Sequence, residues 1–292
     1  MSTALGHALL PPPSRPVGER ATLLALARAD ARRFALHPLF VIACVVLLVS
    51  AVADQVQDND GTNPLIPTMS TAFLIGVLGF VVAHRLTTAL RRTRELAGTV
   101  PVDQQTRTLS LCLACLVPFT VGIAGAVYIL VTNAISPPDG IPPSAPVTWF
   151  GDYPATDVLA TLFLMGPLAT LGGPLLGVAV ARWAPFRGSA LLGVVVLVVA
   201  TAIPVSDAHG SAVRLASAWP VLTDEHVVNG RNLSSTFVPE IEPIWAMGWV
   251  LCLCGLAVVA ALLRDPGHRR QLLVAGGALT VAAATCFVLA LS

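Results

Sequence analysis

Residues Thr108–Asn133 read TLSLCLACLVPFTVGIAGAVYILVTN, with no charged residue from end to end. A helix needs about 20 apolar residues to cross the hydrocarbon core of a bilayer. Within that core, an α-helix satisfies every backbone N–H and C=O inside its own segment. The stretch therefore reads as a transmembrane helix, and the rest of the chain repeats its pattern. Comparable apolar runs lie at about 37–53, 65–84, 157–181, 188–204, 243–263 and 271–292, with Asp157 and His84 placed at run ends. The run at 188–204 is the shortest, and the one at 271–292 follows its neighbour closely. The expected fold is thus an all-α polytopic bundle of six to seven spans occupying residues 37–292. Composition agrees: 55% of the 292 residues are hydrophobic and 11% charged, against roughly 25% charged in a soluble domain. Lipid is the solvent that absorbs such an excess.

The distribution of charge orients the bundle. Every one of the 17 basic residues is arginine. With the N-terminus cytoplasmic, Arg15, Arg20, Arg28, Arg32, Arg33, Arg85, Arg91, Arg92, Arg94, Arg107, Arg182, Arg187, Arg264, Arg269 and Arg270 fall inside, and only Arg214 and Arg231 fall outside. That asymmetry follows the positive-inside rule and predicts a multi-pass cell-membrane protein. The net charge of +1 gives no footprint for nucleic acid. Absence of lysine removes a P-loop lysine, a Schiff-base lysine and a Ser-Lys dyad. There is no Gly-x-Ser-x-Gly and no His-Glu-x-x-His. The chain is expected to be no enzyme and to carry no cofactor, so any ATP hydrolysis would belong to another subunit.

Residues 1–18, with Pro11-Pro12-Pro13, read as a disordered cytoplasmic tail. Their length before the first apolar run argues against a cleavable signal peptide. Over 19–36 the apolar residues Leu24, Ala27, Ala31, Phe34 and Ala35 recur at helical spacing, with Arg28, Arg32 and Arg33 elsewhere on the helix. This predicts an amphipathic helix lying at the membrane interface and entering the first span through His37-Pro38. The six cysteines all fall in apolar runs and read as packing residues. Cys112 and Cys115 share a helix face, but two thiols with no neighbouring histidine or carboxylate fall short of four convergent zinc ligands.

The segment 85–107 carries the functional argument. Leu86, Ala89, Leu90, Thr93, Leu96 and Ala97 form a helical stripe, with Arg91, Arg92 and Glu95 off it. Gly98 is placed as a C-terminal cap, Pro101 forces a turn, and Asp103 can cap the next span. The expectation is a short amphipathic helix against the inner ends of two spans, a lever that a cytoplasmic partner could grip. An inert arginine-rich connector fits the pattern nearly as well.

This segment resembles type-2 ABC transporter permeases, the membrane subunits of many bacterial ABC exporters. The likeness rests on an amphipathic N-terminal helix running into His37-Pro38, and on Arg94-Glu95-Leu96 through Pro101-Val102 to Arg107-Thr108. It implies that residues 86–102 hold a coupling helix, with Leu86, Leu90, Arg91, Arg92, Arg94, Glu95, Leu96, Pro101 and Val102 meeting an ATP-binding subunit. A second permease subunit, identical or related, is then expected across the pathway. The apparent seventh span at 271–292 departs from the family's usual six, and the outer segment 205–242 falls where the family places re-entrant helices.

Gly166-Pro167 and Gly172-Gly173-Pro174 predict a kink or a close helix crossing, beside a pathway or simply in the packing. Ser211–Trp219 reads as a short interfacial turn, and Tyr128, Asn133, Trp149, Trp245 and Trp249 as belt residues. A secondary transporter is disfavoured because ion-coupled carriers keep ionisable groups at membrane depth. A non-transporting scaffold or signalling protein stands as the alternative to the permease.

Overall fold

A computed structural model describes residues 19–56, 66–97, 103–135, 154–186, 188–205, 210–217, 222–228, 231–237, 241–265 and 267–292. The fold is an all-α bundle of α1 (Glu19–Ala35), α2 (Pro38–Val56), α3 (Ile66–Ala97), α4 (Gln104–Ala114), α5 (Leu116–Ile135), α6 (Ala155–Phe163), α7 (Ala169–Trp183), α8 (Ser189–Val205), α9 (Ser211–Leu215), α10 (Pro243–Leu263) and α11 (Arg269–Ala290). Among the described residues, 5 helical segments are long and apolar enough to cross a membrane, and 6 if the bent pair α1–α2 is one span. The apolar part of α8, Ser189–Thr201, is shorter. The chain is a multi-pass membrane protein.

Proline explains most of the breaks. Pro38 begins α2, where its missing N–H costs nothing, and it keeps His37 out of helical geometry. The axes of the two helices consequently turn by 58°. Nδ1 of His37 accepts the Leu39 N–H at 3.3 Å, capping α2. Pro118 crowds the carbonyl four residues earlier, at Ala114, and the third apolar run divides there into α4 and α5 around Cys115. Asp103 caps α4 as its sequence position suggested, accepting the Gln105 N–H at 3.1 Å. Pro167 has no N–H for the preceding turn, and between α6 and α7 the helix widens into a π turn over Leu164–Leu168.

The centre of the bundle is the crossing of α3 on α7, the most extensive helix contact, followed by α10 on α11. Gly173 lies against the backbone of Gly76, and Gly177 against that of Phe80, each so close that a Cβ would collide. Lipid offers helices no hydrophobic drive to associate, so close backbone approach through small residues is what holds such a crossing. The Gly-Gly-Pro of the fourth run therefore makes a tight crossing, and its Gly-Pro makes the π turn. On the other side of α10, Trp249 packs edge-on to Phe287 of α11 at 5.0 Å and gives its Nε1–H to the Leu215 carbonyl.

Two features go beyond what the apolar pattern gave. On α1 the face turned to the protein is Ala27, Asp30 and Phe34, while Leu24 is exposed, so the buried stripe includes a carboxylate that the apolar pattern skipped. Among the described residues, the segment 205–242 holds the five-residue α9 and then an antiparallel hairpin, β1 (Thr223–Val228) with β2 (Arg231–Phe237), in a register that pairs Val228 with Arg231 and shifts between Asp224 and Glu225. The signal was present: Asn229-Gly230 is the pair most favoured in two-residue hairpin loops.

Candidate functional site

The helix expected over 86–97 is not separate from the second span. A single helix, α3, runs 32 residues from Ile66 to Ala97. No glycine or proline interrupts His84–Ala97, and its Leu, Arg and Glu residues favour helix, so the span continues into the arginine-rich segment. Leu86 is half-buried and packs against the main core. The side chains of Leu90, Arg91, Arg92, Arg94, Glu95 and Leu96 lie outside the described residues, as do Gly98, Pro101 and Val102 altogether.

Polar ties fasten this end of the bundle. Arg182, at the end of α7, reaches Asp265 beyond α10 with Nη2 to Oδ1 at 2.7 Å, and its Nε–H goes to the Ala261 carbonyl at 3.3 Å. Both side chains are less than a tenth exposed, and Oδ2 of Asp265 has no partner among the described residues. Next to them Trp183 donates Nε1–H to the Ala260 carbonyl at 2.7 Å. Nε2 of His84 on α3 meets Oγ of Ser189 on α8 at 2.8 Å, both residues buried. Gln105 on α4 donates to the Gly267 carbonyl at 2.7 Å, tying α4 to the turn between α10 and α11.

Asp30 completes the set. Its Oδ2 lies 2.8 Å from Oγ of Ser110, which is also 2.8 Å from the Arg107 carbonyl, and Arg33 stands 3.5 Å from Oδ1. Burial pushes the Asp30 carboxyl up from its ordinary value against the opposing pull of Ser110, Arg33 and Arg107. The single Ser110 hydroxyl proton has two acceptors in reach, Oδ2 of Asp30 and the Arg107 carbonyl, each at 2.8 Å. His37, at the α1–α2 turn, is shifted down by burial and by Arg85, consistent with its Nδ1 serving as an acceptor.

Further along the bundle lies an apolar cavity of about 740 Å³. Its walls are Ala72, Phe73 and Leu74 of α3, Leu164–Leu168 of the π turn in part, Ala169, Gly172, Gly173 and Leu176 of α7, Leu197 and Thr201 of α8, and Val250–Ala260 of α10 in part. Ala216 and Ser217 close one end. No charged residue lines it. Of the residues singled out for a kink or pathway, Gly172 and Gly173 line the cavity. Gly166, Pro167 and Pro174 are buried in helix contacts instead, Gly166 facing the Gly122 carbonyl of α5 and Pro174 facing Gly79 of α3. Cys112 and Cys115 are buried, and Sγ of Cys115 is within 3.3 Å of the Leu111 carbonyl.

Sequence reasoning passed over Ser217, Asp30, Ser189 and Asp265. Oγ of Ser217 is buried and has no hydrogen-bond partner among the described residues; leaving such a group unpaired typically costs about 1–3 kcal/mol. Asp265 sits in an Arg-Asp-Pro turn that reads as surface, and its partner is 83 positions away. No protein-family model, curated protein or solved structure matches the chain.

Proposed function

We propose that the chain is the permease subunit of an ATP-binding cassette exporter, driven by a separate ATPase subunit. The observation that carries this reading is the continuity of α3. One helix forms a wall of the cavity at Ala72–Leu74, is wedged against α7 from Gly76 to Phe80, and bears the arginine-rich segment at its far end. Its 32 residues extend roughly 48 Å at 1.5 Å per residue. An axial push or tilt applied at Leu86–Leu96 is therefore delivered to the cavity wall by a rigid element. ATP-driven closure of a partner dimer supplies such a push, and two packings of the bundle supply the response.

In this reading the arginine-rich end and the N-terminus face the cytoplasm, as the arginine asymmetry supports. Leu86 and Leu90 anchor the helix, while Arg91, Arg92, Arg94 and Glu95 meet the ATPase, with Leu96, Pro101 and Val102 completing the contact. Two permease subunits, identical or related, stand in the bilayer with the pathway between them.

Two variants test the reading in native membranes. Leu90→Asp places a carboxylate at the contact and should abolish co-purification of an ATP-binding subunit, with insertion and expression unchanged. Thr88→Gly with Ala89→Gly keeps the contact residues in their helical register but softens the rod; this variant should retain the ATPase and lose substrate-stimulated hydrolysis. Assembly and stimulated hydrolysis that survive both changes would overturn the permease assignment.

A further inference from the structure

We infer that the apolar cavity is a binding site for an amphiphile, a hydrocarbon chain bearing one hydrogen-bonding group, that enters sideways from the bilayer. Its volume of about 740 Å³ lies within the range of sites that enclose small organic ligands. The wall carries no charge, which excludes ions, sugars and phosphorylated metabolites, since each would be left with unmatched polar groups. The route in is lateral: Phe73, Leu176 and Leu253 belong both to the cavity lining and to the exposed surface of the bundle. An aqueous ligand would have to cross an apolar rim, whereas a lipid-dissolved one meets an environment like its own.

The polar group has a definite place. Two hydroxyls line the cavity, and they come from the same end of the fold, Thr201 late in α8 and Ser217 just after α9. Thr201 already donates to the Leu197 carbonyl at 2.9 Å. Ser217 is 3% exposed and its Oγ has no partner among the described residues. Of the two lining hydroxyls, Ser217 is therefore the one with its hydrogen-bonding capacity unspent among the described residues. The head of the amphiphile is thereby assigned to the α8–α9 end and its chain to the π turn and α10.

The site does not depend on transport, so it is tested on the purified chain in nanodiscs without any ATPase. The probe is a long-chain alcohol carrying a diazirine midway along the chain, with labelled residues mapped by mass spectrometry. Labelling should concentrate on Leu164, Met165, Leu253 and Leu256. Gly172→Leu fills the cavity, and its Cβ is tolerated because the nearest neighbour, Sγ of Cys254, is at an ordinary 3.6 Å. This variant should remove most of the labelling. Leu176→Trp narrows the exposed rim and should slow labelling without touching the core. Ser217→Ala should weaken competition by the unlabelled alcohol about 2- to 10-fold, the equivalent of one hydrogen bond, and leave competition by the matching alkane unchanged.

A phospholipid with the diazirine in one acyl chain separates the sources. Labelling of the same residues by it assigns the site to a bilayer lipid, and labelling by the alcohol alone assigns it to a free amphiphile. Labelling spread evenly over exposed helices such as α11, or labelling of the lining that survives both Gly172→Leu and Leu176→Trp, would overturn the proposal.

Discussion

The segment Ala155–Trp183 and the helix Arg269–Ala290 differ little in sequence character and greatly in position. The first has a mean hydropathy of 1.7 and is 72% buried inside the protein; the second has a mean hydropathy of 2.2 and is 6% buried. The more apolar helix is the one left facing outward. In water the order would be reversed, but hydrocarbon and protein interior are equally good solvents for a leucine, so hydropathy does not choose between them. What chooses is shape and polarity. The inner segment has Gly166, Pro167, Gly173 and Gly177 at its contacts and Arg182 at its end, each matched by a specific neighbour. The glycines of the outer helix have room around them, and Gly277 has nothing within 4 Å of a Cβ.

Paired substitutions in the two segments break or sharpen this contrast. The largest effect is expected at the ends. Arg182→Met strands the Asp265 carboxylate in a buried site, and breaking such a pair typically costs about 3–5 kcal/mol. Replacing both partners, as Arg182→Met with Asp265→Leu, should recover most of that loss. Arg270→Ala on α11 should leave the unfolding midpoint in detergent where it was. If Arg182→Met is as mild as Arg270→Ala, the pair is solvated and the polar end of the bundle is looser than its geometry implies.

The next contrast is between glycines. Gly173→Ala drives a methyl group into the backbone of Gly76, where no side chain can yield, and overpacking of this kind costs about 1–3 kcal/mol. Gly277→Ala meets open space and should be neutral or slightly stabilising, because alanine is the better helix former. Thermal unfolding of the two variants in the same detergent measures the difference directly. Equal effects would show that the α3–α7 crossing is not the tight contact that holds the bundle's centre.

The smallest effect tests the margin of the bundle, where α1 sends Phe34 into the core and buries one carboxyl beside it. Asp30 has its folded value raised, so between its ordinary value near 3.8 and that raised value the folded chain holds a proton that the unfolded chain has released. Stability should then fall as pH rises through that window and be flat above it. Asp30→Asn should remove the slope, as read from the thermal midpoint against pH. A slope of opposite sign would mean that Arg33 and Arg107 dominate and that Asp30 is an ion-pair partner.

Much of this was legible from residue order. The apolar runs, the arginine asymmetry, the Asp103 cap and the Gly-Pro irregularity in the fourth run all follow from local chemistry, since a bilayer forces every span to satisfy its own backbone. The hairpin was legible in Asn229-Gly230 but was hidden by the strong apolar signals on both sides. The continuation of α3 was also within reach, because nothing between His84 and Ala97 stops a helix.

The sequence by itself determined membrane residence, helical class and which end of the bundle carries the arginines, because each depends on what a segment must do with its own backbone and charge. Tertiary structure alone decided that Arg182 finds Asp265, that Asp30 turns inward while Leu24 turns out, and that Ser217 lies at the end of a cavity walled by four helices. Those outcomes depend on which apolar face meets protein and which meets lipid. A hydrocarbon solvent makes the two nearly equal in energy, so the choice falls to close packing between residues far apart in the chain.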